Sequence, residues 1–222
     1  MIIAIDGPSG AGKSSVGKSL ARALGINYLD TGAMYRAVAY LVRERKLAAV
    51  QEDELARIMQ ESALEFRFSD ADTTVLLDNH DISEKLRSPD VSQEASRLSA
   101  LSPVRRILVE MQRNICSTGD FVVEGRDIGS VVFPDAPCKF FLAASVLERA
   151  KRRHKQLMQQ GTVIDLETIM ADIETRDQRD INRADSPLVR TEDAIYIDST
   201  EMGFAQVVNQ MVAAIKKRKK CE

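Results

Sequence analysis

The chain has 222 residues, with 31 Lys plus Arg against 33 Asp plus Glu and a net charge of −2. At 44% hydrophobic and 29% charged it has a globular composition, which excludes a wholly disordered chain. So balanced a charge excludes a global basic field for nucleic acid, and no apolar run reaches the ~20 residues that span a bilayer.

Ile2–Ile5 is apolar and runs straight into glycines, the pattern of a buried parallel strand entering a loop. Val16, Leu20, Ala23 and Leu24 follow at helical spacing and Gly25 closes that helix. Tyr28-Leu29 is a short strand. Thr31 is expected to cap the next helix, which carries Met34, Val38, Leu41 and Val42 on one face. A further helix is expected over Asp53–Ser62. Leu64–Phe68 and Thr73–Leu77 alternate about a turn at Asp70–Asp72 and predict an antiparallel hairpin. From there to about Leu101 the sequence is mixed and polar. Ser102-Pro103 opens a helix with Val104, Ile107, Leu108 and Met111. Phe121–Val123 and Lys139–Leu142 are buried strands, and Ala194–Ile197 is the last strand. Leu147–Leu157 is a basic helix, Gln160-Gly161 a break, Leu166–Asp180 a helix, and Phe204–Ile215 the last helix. Strands alternating with helices predict a parallel α/β sheet covered on both faces, with insertions at about 63–100 and 148–190.

Cys116, Cys138 and Cys221 are odd in number and far apart, which suits reduced thiols in a cytoplasmic protein. Met1 leads directly into the first strand with no basic or long apolar leader, so no export signal is expected. His80 and His154 have no cysteine nearby, so no protein-held metal site is expected. The run Lys216-Lys217-Arg218-Lys219-Lys220 reads first as a solvated helix end, where cations suit the macrodipole, and second as a nucleic-acid contact.

The chemistry begins at Gly7-Pro8-Ser9-Gly10-Ala11-Gly12-Lys13-Ser14, which fits G-x-x-x-x-G-K-[ST] at every position. The glycines let backbone N–H groups converge on phosphate oxygens, and the helix that follows points its positive end at the anion. Lys13 would reach the β- and γ-phosphates of a donor nucleotide, and the Ser14 or Ser15 hydroxyl would approach Mg²⁺. The receiver of the phosphate is not written in this loop.

Arginines suggest it. Gly125-Arg126-Asp127 lies just beyond the carboxyl end of a core strand, where open α/β sheets bind ligands. Arg176, Arg179, Asp180 and Arg183 fall at i, i+3, i+4 and i+7, which places them on one helical face. Arg149, Arg152 and Arg153, with Lys151 and Lys155, repeat the theme on the preceding helix. The plainer alternative for the Arg176–Arg183 helix is a surface helix salt-bridged to Asp172, Glu174 and Asp177; two basic helices about Gly161 read as a lid that closes over polyphosphate, with an exposed basic hairpin as the plainer alternative. Phosphoryl transfer between two nucleotides needs charge clamped and water excluded, and arginine makes planar, bidentate phosphate contacts.

At this point the chain resembles bacterial cytidylate (CMP/dCMP) kinases. The resemblance rests on the phosphate loop, on Tyr28-Leu29-Asp30-Thr31-Gly32-Ala33-Met34-Tyr35-Arg36, on Glu124-Gly125-Arg126-Asp127-Ile128-Gly129-Ser130-Val131-Val132-Phe133-Pro134, and on Arg176–Arg183. It implies a three-layer P-loop fold with a five-stranded parallel sheet. It divides the chain into a core (1–62, 101–147 and 191–222), an antiparallel acceptor-binding insertion (63–100) and an arginine-rich lid (148–190). It implies transfer from ATP to CMP or dCMP with Mg²⁺, by a monomer without nucleic-acid or membrane partners. It implies that Thr31, Arg36, Arg126 and Arg183 hold the acceptor phosphate. Ser96, Arg105 and Asp127 would read cytosine, Asp180 with Arg176 would address the sugar, and Arg149 and Arg153 would bind ATP beside the loop. Lys13, Arg126 and Arg183 would carry the catalysis. A serine pair, Ser14-Ser15, stands where many relatives have Gly-Thr after the lysine, and Thr31 where serine is common. Another small-acceptor kinase and a P-loop switch or ATPase are the competing readings.

Overall fold

The structure, a computed structural model, describes all residues except 48–51, 70–71, 160 and 219–222. A five-stranded parallel sheet is built from β1 (Ile2–Asp6), β2 (Asn27–Asp30), β6 (Phe121–Gly125), β7 (Cys138–Ala143) and β8 (Ile195–Asp198), in the order β2-β6-β1-β7-β8. β1 pairs with β6 (Ile2 opposite Phe121) and with β7 (Ile3 opposite Cys138), so it occupies the centre. That position explains its unbroken apolar run.

Alternate residues of each strand feed two cores. On one face Ile3, Ile5, Tyr28 and Phe140 pack with α1 (Lys13–Leu24) and α8 (Phe204–Arg218). On the other, Ala4, Leu29 and Val123 pack with α2 (Thr31–Glu44), α4 (Pro89–Leu98) and α5 (Ser102–Ile115), and Leu55 of α3 (Glu52–Glu61) joins them. The expected helix at 53–62 is α3. β3 (Leu64–Ser69) and β4 (Asp72–Leu77) form the expected hairpin; its expected turn lies partly outside the described residues. α6 (Val146–Gln159) and α7 (Leu166–Asn182) close a small core of their own from Ala150, Leu157, Ile169 and Ile173.

Three local expectations change. The polar stretch after β4 holds β5 (His80–Asp81), which adds a third strand, and α4. α4 has an ordinary start signal: Ser88 accepts from Val91 N–H at 3.3 Å and Pro89 occupies the first turn. The cap of α2 is Asp30, whose carboxylate accepts from Ala33 N–H at 2.9 Å. Thr31 is the first helical residue, and its hydroxyl is spent on Glu124 O at 2.7 Å. Arg183 is not on the α7 face but caps its end with extended backbone, while Arg179 is exposed. The four residues therefore do not form one arginine face; Arg176, Asp180 and Arg183 turn inward and Arg179 does not.

Candidate active site

The first part of the site is the turn from β1 into α1. Gly7 has φ +148°, and a Cβ there would stand 2.0 Å from Leu142 O of β7, so any side chain would drive the loop off the sheet. Gly12, at φ +97°, is the N-cap of α1, whose first helical residue is Lys13. The Lys13 side chain is buried and folds back to donate to Pro8 O at 2.8 Å. Burial, then the nearby Arg126 guanidinium, brings its pKa down to about 7; Glu124, Asp180 and Asp6 oppose that shift. An anion in this loop would restore the full ammonium charge. Ser9 and Ala11 turn their carbonyls away from the loop mouth to α6: Ser9 O accepts from Arg149 and Ala11 O from Arg152, at 3.0 and 3.2 Å. Ser14 and Ser15 are exposed at the start of α1.

Below the loop lies Glu124, the last side chain of β6, fully enclosed. It accepts hydrogen bonds from Tyr28 and Ser14 hydroxyls, and burial followed by the neighbouring Asp30 charge pushes its pKa up. Asp6 ends β1 beside it. Both its carboxylate oxygens are taken by backbone N–H groups, Ile128 and Gly129, each at 2.8 Å. Burial nonetheless raises its pKa to about 6. These N–H groups open a π-helical turn, Ile128–Val132, directly after Arg126-Asp127.

The second part is a cationic pocket. Arg126 donates from Nε to Asp180 at 2.7 Å. Burial works against both charges, but the pairing wins: Arg126 is held above and Asp180 below its ordinary range. Arg176 is depressed by burial and by Arg126, and Arg183 by burial and by Arg105. That pattern describes a pocket with more positive charge than its own acids neutralise, as an anion site requires. Arg105 and Asp127 form a buried pair deeper in, and Arg105 also donates to Ser99 O at 3.1 Å. Arg183 Nη2 stands 3.8 Å from Asp127.

The remaining expected residues are Arg36, Ser96 and Arg149. Arg36 pairs with Asp30 at 2.9 Å and lies close enough to Arg153 of α6 to depress its charge, after burial. Ser96 is half-buried on α4, with its carbonyl bound by Ser99 Oγ at 2.9 Å. Arg149 is buried, and its donors are spent on Ala144 O, Ser9 O and Asp177. Sequence reading gave no role to Asp6, Glu124 or Asp30. Their signal is a lone acid at the carboxyl end of an apolar strand, where burial needs a functional or bonding reason.

A phosphate loop opposite a second arginine pocket, both at the carboxyl edge of a parallel sheet, defines a P-loop nucleoside-monophosphate kinase. The profile of the family described as cytidylate kinase matches residues 3–217. A cytidylate kinase of Carboxydothermus hydrogenoformans is 42% identical over 98% of this chain and 98% of its own. One from Caldanaerobacter subterraneus subsp. tengcongensis is 44% identical over 99% and 96%. The chain belongs to the cytidylate kinase family. An uncharacterized protein from Eubacterium ventriosum shares the fold, with a TM-score of 0.50 at 15% identity over 97% of this chain and 98% of that one. No described helix is long and apolar enough to cross a membrane.

Proposed function

We propose that the chain transfers the γ-phosphoryl group of ATP to CMP or dCMP, giving ADP and CDP or dCDP, with Mg²⁺ bound alongside ATP. The observation that carries this reading is the meeting of two unlike anion sites in one cleft. One is a backbone cradle with a single buried lysine; the other is a set of guanidiniums around a base-reading ion pair.

In this reading Gly7–Ser15 wraps the donor phosphates, and Lys13 follows the migrating charge between donor and acceptor. Arg126 and Arg183 face the acceptor phosphate with Arg36, the Thr31 hydroxyl joins them by turning its proton from Glu124 O to the phosphate, and Arg176 with Asp180 takes the sugar. Asp127 accepts from the exocyclic N4 of cytosine while Arg105 donates to the base, a match uracil cannot complete because it offers O4 instead. Ser96 stands at the rim of that base site. Arg153 closes on ATP from α6, whereas Arg149 holds the Ser9 carbonyl from behind and so shapes the cradle. The insertion at 63–100 carries the acceptor and the segment 148–190 is the lid. The protein works as a cytoplasmic monomer with nucleotides as its partners and no nucleic acid.

The residues present suit Mg²⁺. The Ser14 hydroxyl at the start of α1 and the Glu124 carboxylate at the end of β6 are hard oxygen donors bonded to one another, and among the described residues no cluster of three or more acids, histidines or cysteines forms a closed metal cage. Mg²⁺ favours that kind of site, since it is held largely by substrate phosphates and water. When bound it would neutralise charge on the β- and γ-phosphates. Ser14, already bonded to Glu124, is the hydroxyl assigned here in preference to Ser15.

The test is ADP release from Mg-ATP with CMP, dCMP, UMP, AMP, GMP or shikimate as acceptor. Turnover that depends on CMP and dCMP is the expected result; slow hydrolysis indifferent to the acceptor would overturn the reading.

A further inference from the structure

Tyr35 lies on α2, one residue before Arg36, and the roles assigned above leave it idle. Its hydroxyl is sealed from solvent and has no hydrogen-bond partner. Two other buried polar atoms near it share that condition, Arg105 Nε and Arg183 Nη2. The Arg105 guanidinium carbon stands 5.7 Å from the centre of the Tyr35 ring, a cation–π contact. The charges that act most on the phenol are Arg105 and Asp127, followed by Arg183 and Asp180. Burial pushes the phenol up to about 12, so it is neutral and keeps its proton to donate.

A buried donor without a hydrogen-bond partner costs free energy, and three of them gather around one ion pair. An Arg nitrogen can only donate, and a tyrosine hydroxyl donates most readily. The missing component is therefore a molecule that presents acceptors to this corner of the pocket.

We infer that Tyr35 is an acceptor-binding residue: its ring braces the Arg105 guanidinium against Asp127, and its hydroxyl donates to the base edge of the bound pyrimidine nucleotide. The base side is indicated because the ring lies on Arg105. The donation is to an oxygen or nitrogen acceptor on the pyrimidine and not to the sugar, so CMP and dCMP feel it alike. This inference rests on the acceptor site proposed above.

The structure also fixes the sign of a stability effect. A hydroxyl that is satisfied only by substrate is a burden on the empty protein. Its removal should leave the empty protein as stable as before, or more so, while acceptor binding weakens.

The experiment compares wild type with Tyr35→Phe and Tyr35→Leu, each with saturating ATP and varied CMP, dCMP or UMP. Wild-type turnover with CMP must come first, since its absence would defeat the proposed function and not this inference alone. For Tyr35→Phe the expected result is a KM for CMP and for dCMP raised about three- to tenfold. kcat and the KM for ATP should stay within twofold, and the melting temperature of the empty protein should not fall. Tyr35→Leu, which removes the brace, should also lower the CMP/UMP ratio of kcat/KM. A Tyr35→Phe enzyme with unchanged KM for CMP would overturn the inference. So would a loss confined to CMP, which points to the 2′-hydroxyl, or a lowered melting temperature with equal losses for every substrate. Should Tyr35→Leu fail to fold, the Phe variant decides the question.

Discussion

Lys13 combines burial, a bond to a loop carbonyl and a lowered pKa, which marks a charge kept in an unfavourable place for use on a ligand. Lys13→Ala is expected to lower kcat about a hundred- to a thousandfold, the scale of losing one aligned donor at a transition state. Its melting temperature should stay at or above the wild-type value, because a desolvated ammonium is removed. Single-turnover kinetics beside a melting curve checks both. Asp127 calls for a gentler substitution. Alanine would strand the buried Arg105 at a cost of about 3–5 kcal/mol, so asparagine is the informative change. Asp127→Asn should lower kcat/KM for CMP at least about tenfold and UMP much less, since its amide can donate to the uracil O4. An unchanged CMP/UMP ratio would remove Asp127 from base reading. Asp6 supplies a pH test. Its pKa rises from 3.8 in the unfolded chain to about 6 in the folded one. The folded state therefore holds the proton more tightly, and this carboxylate's contribution is greatest below about pH 4 and declines as pH rises toward about 6. Acids such as Asp72, Glu94 and Asp180 shift the opposite way, so only the difference from a variant isolates it. The stability advantage of wild type over Asp6→Asn, measured by urea unfolding, should shrink between pH 4 and 7. An advantage constant with pH would contradict the assignment.

At the scale of elements, the placing of Glu124 depends on how closely α1 lies on the sheet. A Cβ on Gly17 would stand 2.8 Å from Tyr28 Cε2. Tyr28 cannot give way, being fully enclosed and bonded to Glu124. Gly17→Ala should destabilise by about 1–3 kcal/mol despite alanine's better helix propensity, because the cost of overpacking exceeds the propensity gain of about 1 kcal/mol. Urea unfolding measures it. The same elements show what could be read beforehand. The five core strands and their helices are legible because short apolar runs, three of them next to glycine, and apolar residues at helical spacing are local signals. α4 was missed although Ser88-Pro89 is a start signal, because its apolar face is only Val91, Ala95 and Leu98 and the charged residues between them hide it. The cap of α2 was assigned to Thr31 because hydroxyls and carboxylates are both good caps. The choice fell to Asp30 once Glu124 O claimed the threonine hydroxyl, a contact 93 residues away. The sequence pattern points Arg149 at ATP, whereas its long-range bond to Ser9 O, 140 residues away, has no local trace. Residues that act through side-chain partners distant in sequence, Asp6 and Glu124 among them, lie beyond periodicity for the same reason.

At the scale of the molecule, α6 and α7 share a small apolar core of their own and touch the phosphate loop through Arg149 and Arg152. Arg153 and Arg176 are each depressed by burial and by a neighbouring guanidinium, so phosphate should draw them inward. A bisubstrate analogue is expected to protect residues 149–183 from limited proteolysis; unchanged cleavage at saturation would argue for a fixed hairpin. The core beneath them is built otherwise. Asp6 belongs to the central strand and sits immediately ahead of the donor loop, yet its two oxygens hold the turn that follows Arg126-Asp127. The separation between the two halves of the cleft is thus spanned by one carboxylate wedged among buried strands. The two halves of the cleft are therefore tied to one another in sequence: a change at position 6 has to be answered by backbone remodelling at 128–129, the turn that its carboxylate holds.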